Sequence, residues 1–64
     1  MNKMTPEYAE ALAVKAGCGV SHLYERGVEW LIIKGGRGAE SVAIWRVFQM
    51  TEADFRKWHL ERAA

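Results

Sequence analysis

The chain has 64 residues, 50% of them apolar, and nine Lys and Arg against eight Asp and Glu give a formal net charge of +1. That length allows one domain, residues 1–64, and the charge balance supplies no broad field for nucleic acid or an anionic membrane. A single cysteine, Cys18, excludes an internal disulfide, and no apolar run reaches the roughly 20 residues of a membrane span.

A domain this small buries only about 60% of its unfolded-chain surface, so it needs a dense core or a partner. Three Trp, two Phe and two Tyr can supply the core. Cys, His and acidic residues do not fall at metal-ligand spacing, so neither metal nor cofactor is expected. The N-terminal stretch MNKMTPEYAEAL lacks the apolar centre of a signal peptide and carries two glutamates, which makes a cytoplasmic protein the expectation.

Thr5-Pro6-Glu7 predicts a helix start. Thr5 can cap, Pro6 has its φ preset for the first helical position, and Glu7 suits the positive end of the dipole. Tyr8, Leu12 and Ala16, with Ala9 and Ala13 beside them, form a narrow apolar stripe. Gly17 is the expected helix stop.

Residues 20–25, VSHLYE, alternate as a short strand, with Arg26-Gly27 as a two-residue turn into a second strand from Val28. Val28, Trp30 and Ile32 point one way along that strand; Leu31 and Ile33 point the other. Gly35-Gly36-Arg37-Gly38 is read as a flexible hairpin tip. The Walker pattern is absent, and the β-rich run SVAIWRVF follows where a phosphate loop needs a helix. Pairing Lys34 with Glu40 across a five-residue loop sets Ile32 opposite Val42, Trp30 opposite Ile44 and Val28 opposite Arg46. One sheet face then carries Leu23, Val28, Trp30, Ile32, Val42, Ile44 and Phe48, bordered by Glu25, Lys34, Glu40 and Arg46. The other carries Cys18, Val20, His22, Tyr24, Glu29, Leu31, Ile33, Ala43, Trp45 and Val47, and is assigned to the core.

The last element is a helix from Thr51. Thr51 and Asp54 have capping-box spacing, and Met50 with Phe55 forms a hydrophobic staple. Phe55, Trp58, His59 and Arg62 are expected on one face, with Glu52–Arg56 and Lys57–Glu61 as i,i+4 pairs on the solvent side.

The order is helix, three-stranded antiparallel β-meander, helix: an α+β domain of αβββα layout. A rival reading exists for the first strand. LAVKAGCGVSHLY resembles the helix-turn-helix of the tetracycline-repressor family of transcription factors, through Ala13, Ala16-Gly17 and the Leu23-Tyr24 pair. That resemblance implies a recognition helix within residues 18–26 and DNA binding. The alternative layout is a winged helix-turn-helix, with the hairpin as the wing and Arg37 at its tip. Cys18-Gly19 stands where the family has Val-Ser, and Arg26 falls on an apolar position of the recognition helix.

His22 and His59 are the natural general bases, but neither has a motif-placed nucleophile. On a strand, Cys18 and His22 lie about 13 Å apart by strand rise, too far for a thiol–imidazole pair. No enzyme is expected. Trp30 and its neighbours give an apolar centre with a charged rim, the build of a protein interface. The candidate binding residues are Leu23, Trp30, Ile32, Lys34, Arg37, Ile44 and Arg46. The expected partner is a protein or a second copy of the chain; size alone suggests an anti-CRISPR-like phage or mobile-element inhibitor of a host protein machine. Nucleic-acid binding through Lys34, Arg37, Arg46, Arg56 and Lys57, with Trp30 stacking on bases, is the competing expectation.

Overall fold

A computed structural model describes residues 3–64. Met1 and Asn2, which open the stretch read above for a leader, lie outside the described residues. Helix α1 (Pro6–Lys15) leads into strands β1 (Gly19–Glu25), β2 (Val28–Gly35) and β3 (Gly38–Ala43). A short helix α2 (Ile44–Val47) follows, then α3 (Glu52–Phe55), which runs on through a π-helical segment (Arg56–Leu60) into α4 (Glu61–Ala63). The strands form one antiparallel sheet in the order β1-β2-β3. This is the αβββα layout.

Helix α1 starts as its sequence dictates. The Thr5 hydroxyl accepts from the Tyr8 N–H at 3.2 Å, and Pro6 opens the helix. Gly17 follows its end at φ 88, where a side chain would be strained. Pro6, Ala9, Leu12 and Ala13 are buried, while Tyr8 and Ala16 are exposed. The inward stripe is therefore rotated from the expected one, and three of its four residues are Pro or Ala, small enough for the helix to lie close to the sheet. Residues 19–25 pair along their whole length with β2, so the chain has no recognition helix and the helix-turn-helix reading is overturned.

The β1–β2 turn is Arg26-Gly27, with φ 56 and φ 77. Positive φ at both central positions is what a type I′ turn needs. It sets Leu23 opposite Trp30 and Ser21 opposite Ile32.

The second hairpin departs from expectation by one residue. Lys34 pairs with Ala39 and Gly35 with Gly38, so the loop is Gly36-Arg37 rather than five residues. Glu40 faces Ile33, Val42 faces Leu31 and Ala43 faces Trp30. A one-residue slip exchanges the two faces of a strand. Val42 thus joins Leu31 and Ile33 in the core instead of standing beside Trp30, and Glu40 moves to the core side. Gly38 takes φ 150, open to glycine and strained for other residues. The tip is not a free loop: the Arg37 N–H donates to the Ala63 carbonyl at 2.9 Å.

Strand β3 stops at Ala43, short of the Phe48 expected from its β-branched and aromatic run. Strand preference mostly reflects how a residue packs, and here burial decides. A helical turn puts Ile44 and Val47 on one side, spaced by three. Val47 is fully buried and Ile44 packs partly against the core, which leaves Trp45 and Phe48 exposed. Trp45 is therefore not a core residue, Ile44 and Phe48 are not on the sheet's Trp30 face, and Arg46 has no Val28 partner.

The last helix has the expected capping box. The Asp54 N–H donates to Thr51 Oγ1 at 3.2 Å, and the Thr51 N–H donates to Asp54 Oδ2 at 3.4 Å. Met50 and Phe55 are both buried in the core. Beyond Phe55 the π segment changes the phase. A π turn repeats near every five residues instead of every four. Leu60, five residues after Phe55, is buried with Ala63, while Trp58 and Arg62 point outward. Of the expected Phe55–Trp58–His59–Arg62 face, His59 stays beside Phe55, while Trp58 and Arg62 leave it. Arg56 Nε donates to Glu52 at 2.9 Å, but Lys57 and Glu61 form no ion pair.

The core lies between one sheet face and the helices: Leu31, Ile33 and Val42 below, Ala9, Leu12, Val47, Phe55 and Leu60 among those above. The molecule measures 30 × 29 × 16 Å, thin because one helical layer covers one side of one sheet.

Candidate functional site

Period-two alternation places Ser21, Leu23, Glu25, Val28, Trp30, Ile32, Lys34, Ala39 and Ser41 on the sheet face turned away from the core, while Ala43, next in that alternation, is buried where the strand ends. No helix packs over its centre. Leu23 is 47% exposed, and Trp30 and Ile32 are half-buried. Leu23, Glu25, Trp30, Ile32 and Ser41 line a shallow depression of about 210 Å³. A hollow that open is a contact surface rather than an enclosing pocket for a small molecule.

The candidate residues divide by position. Leu23, Trp30, Ile32 and Lys34 share the open face. Arg37 is exposed in the β2–β3 turn beyond Lys34. Ile44 and Arg46 belong to α2, which begins beyond the Ala43–Trp30 pair at the opposite end of the hairpin. Ser21 and Ser41 belong to the face and were not anticipated. Ser21 follows from alternation with Leu23; Ser41 arrives there through the register of β3.

Basic groups do not converge. Lys34 and Arg37 sit at one end of the β2–β3 hairpin and Arg46 beyond the other, at least about 13 Å away by strand rise. Arg56 is held by Glu52. Arg46 therefore does not join Lys34 and Arg37 in one patch.

Both histidines are tied to carboxylates. His22 Nε2 donates to Glu10 of α1 at 3.0 Å, and Nδ1 donates to Glu29 of β2 at 3.2 Å. Both nitrogens donate only in the imidazolium form, and the Glu10 hydrogen bond raises the His22 pKa above 6.5; burial opposes it, and the Glu10 charge and Glu29 add to the rise. His59 Nδ1 donates to Glu40 at 3.0 Å, and its ring lies 6.1 Å from that of Phe55. His59 Nε2 is buried with no hydrogen-bond partner. Cys18 is buried beneath the helices. Among the described residues no group of three or more His, Cys, Asp or Glu is arranged to hold a metal ion.

No described helix is long and apolar enough to cross a membrane. Compared with protein-family models, curated proteins and solved structures, the chain matches none.

Proposed function

We propose that this chain is a non-enzymatic protein-binding module whose partner seats on the Trp30 face. The observation that carries the reading is the row Leu23, Trp30 and Ile32 on a sheet side over which no described helix packs. Leaving such a surface in water forgoes about 25 cal/mol per Å² of apolar area, which a partner would recover. Trp is a favoured anchor at the centre of interfaces, and serines and charges form the rim. The His22 imidazole is engaged at both nitrogens, the unpaired His59 Nε2 is buried and the thiol is covered, which argues for recognition over catalysis. Chain length is the single feature that pointed to a phage inhibitor, and no structural feature adds to it.

Site-specific photo-cross-linking tests the reading. A cross-linker at Leu23 or Ile32 should give a protein adduct that Trp30→Ala abolishes, while one at Lys57 on the C-terminal helix should give none. Equal adducts from both sides, or none from either, would overturn it. A mobility shift with duplex or single-stranded nucleic acid that weakens with salt would favour the competing reading instead.

A further inference from the structure

We infer that a second copy of this chain covers the Trp30 face, in an isologous sheet-on-sheet dimer. The inference rests on the reading of that face as a protein-binding surface and names its occupant. The argument is charge complementarity. Of the side chains standing on the face, only Glu25 and Lys34 are charged, and they lie at opposite ends of it. Glu25 closes the β1–β2 turn opposite Val28, and Lys34 lies opposite Gly19. The two rows are separated by about 20 Å of strand rise. Between them lie the Leu23–Trp30 and Ser21–Ile32 rows.

With their strands aligned, two sheets can face each other about a two-fold axis in two ways. An axis along the strands sets Lys34 over Lys34 and Trp30 over Trp30, which brings like charges together. An axis in the sheet plane but across the strands reverses the strand direction. Glu25 then stands over Gly19 of the other copy, one strand (about 5 Å) to the side of its Lys34, at both ends. Trp30 packs on Ile32 of the other copy, and Leu23 on Ser21, large over smaller in each case. Charge therefore selects the second arrangement, and symmetry gives every contact twice. Two sheets stack about 10 Å apart, close enough for the end charges to bridge.

Charge reversal read by sedimentation over a concentration series tests the dimer. The wild type should associate, more weakly at high salt. Glu25→Lys alone and Lys34→Glu alone each oppose like charges and should weaken association by about tenfold or more. An equimolar mixture of the two variants, and the double variant Glu25→Lys/Lys34→Glu, should both restore it. Both positions are exposed, and unchanged circular dichroism verifies the fold. A wild type that stays monomeric throughout, or single variants that dimerise as well as it does, would overturn the dimer. The cross-linking experiment separates this failure from that of the broader reading. A dimer gives adducts of twice the chain mass; recognition of a foreign protein gives another mass and leaves the chain monomeric.

Discussion

Gly35 lies directly against the main-chain carbonyl of Ala63. A methyl group added at Gly35 would overlap both the oxygen and the carbon of that carbonyl. The same oxygen accepts the Arg37 N–H at 2.9 Å. The end of the last helix is thereby seated on the β2–β3 hairpin, backbone against backbone.

Gly35→Ala should destabilise the protein by about 1–3 kcal/mol, because the obstacle is main chain and cannot rotate away. Domains of this size hold about 3–5 kcal/mol in total, so urea unfolding should show an unmistakable drop in midpoint. Gly36→Ala is the control. Its added carbon would come no closer than 3.7 Å to its nearest neighbour, and its φ is not positive. It should be neutral or slightly stabilising.

The His22 bridge between α1 and β2 should make stability depend on pH. The folded pKa of His22 is raised above 6.5, so its contribution is fully present below 6.5 and is lost as pH rises through the higher folded value. Groups facing the ring are Glu10 and Glu29. His22→Gln should therefore lose most relative to wild type near pH 5.5 and little at about pH 8.5, read as the difference in urea midpoint. The ring is substantially exposed, so the effect should be small. A difference that grows with pH would contradict the geometry.

Tyr8 ties α1 to α3 by donating to Glu52 at 2.7 Å. That hydrogen bond, followed by the one from Arg56, holds the Glu52 carboxyl below 4.5. A depressed carboxylate stabilises the fold above 4.5, and the benefit disappears as pH falls through its folded pKa. The hydrogen bond to Glu52 raises the Tyr8 pKa above 10, so at the alkaline end its contribution is lost as pH climbs through that raised value. Tyr8→Phe should flatten both limbs of the stability profile. It should also remove a tyrosinate absorbance step lying above 10.

Phe55 stands where α3 gives way to the π segment, with no exposed surface. Phe55→Ala should cost about 3–5 kcal/mol, comparable to the whole stability of such a domain. The variant should be largely unfolded by circular dichroism at room temperature. Phe55→Leu should fold with a reduced melting temperature.

Local chemistry made much of this fold legible. The Thr5 and Thr51 caps are read from residues that satisfy nearby N–H groups, and the sequence carries them openly. The Leu23–Trp30 register follows from a two-residue turn and strict alternation. Three things were hidden. Four glycines and alanines around Arg37 fit several loop lengths equally well, so the face of β3 could not be set until Val42 found the core. The IWRV run has strand-forming residues, but Val47 is buried best by a helical turn. The π segment breaks the 3.6-residue period itself, which is why Leu60 is buried and the expected Trp58 is not. Of the candidate face, Leu23, Trp30, Ile32 and Lys34 sit together because they depend only on β1 and β2; Ile44 and Arg46 depended on β3 continuing.

Cys18 is 6% exposed, packed with Leu12 and Ala13 in the core. An alkylating reagent can reach its sulfur only while the helix and sheet part company. The chain thus carries its own clock: the rate at which the lone thiol is labelled measures how often the interior opens, with no residue changed.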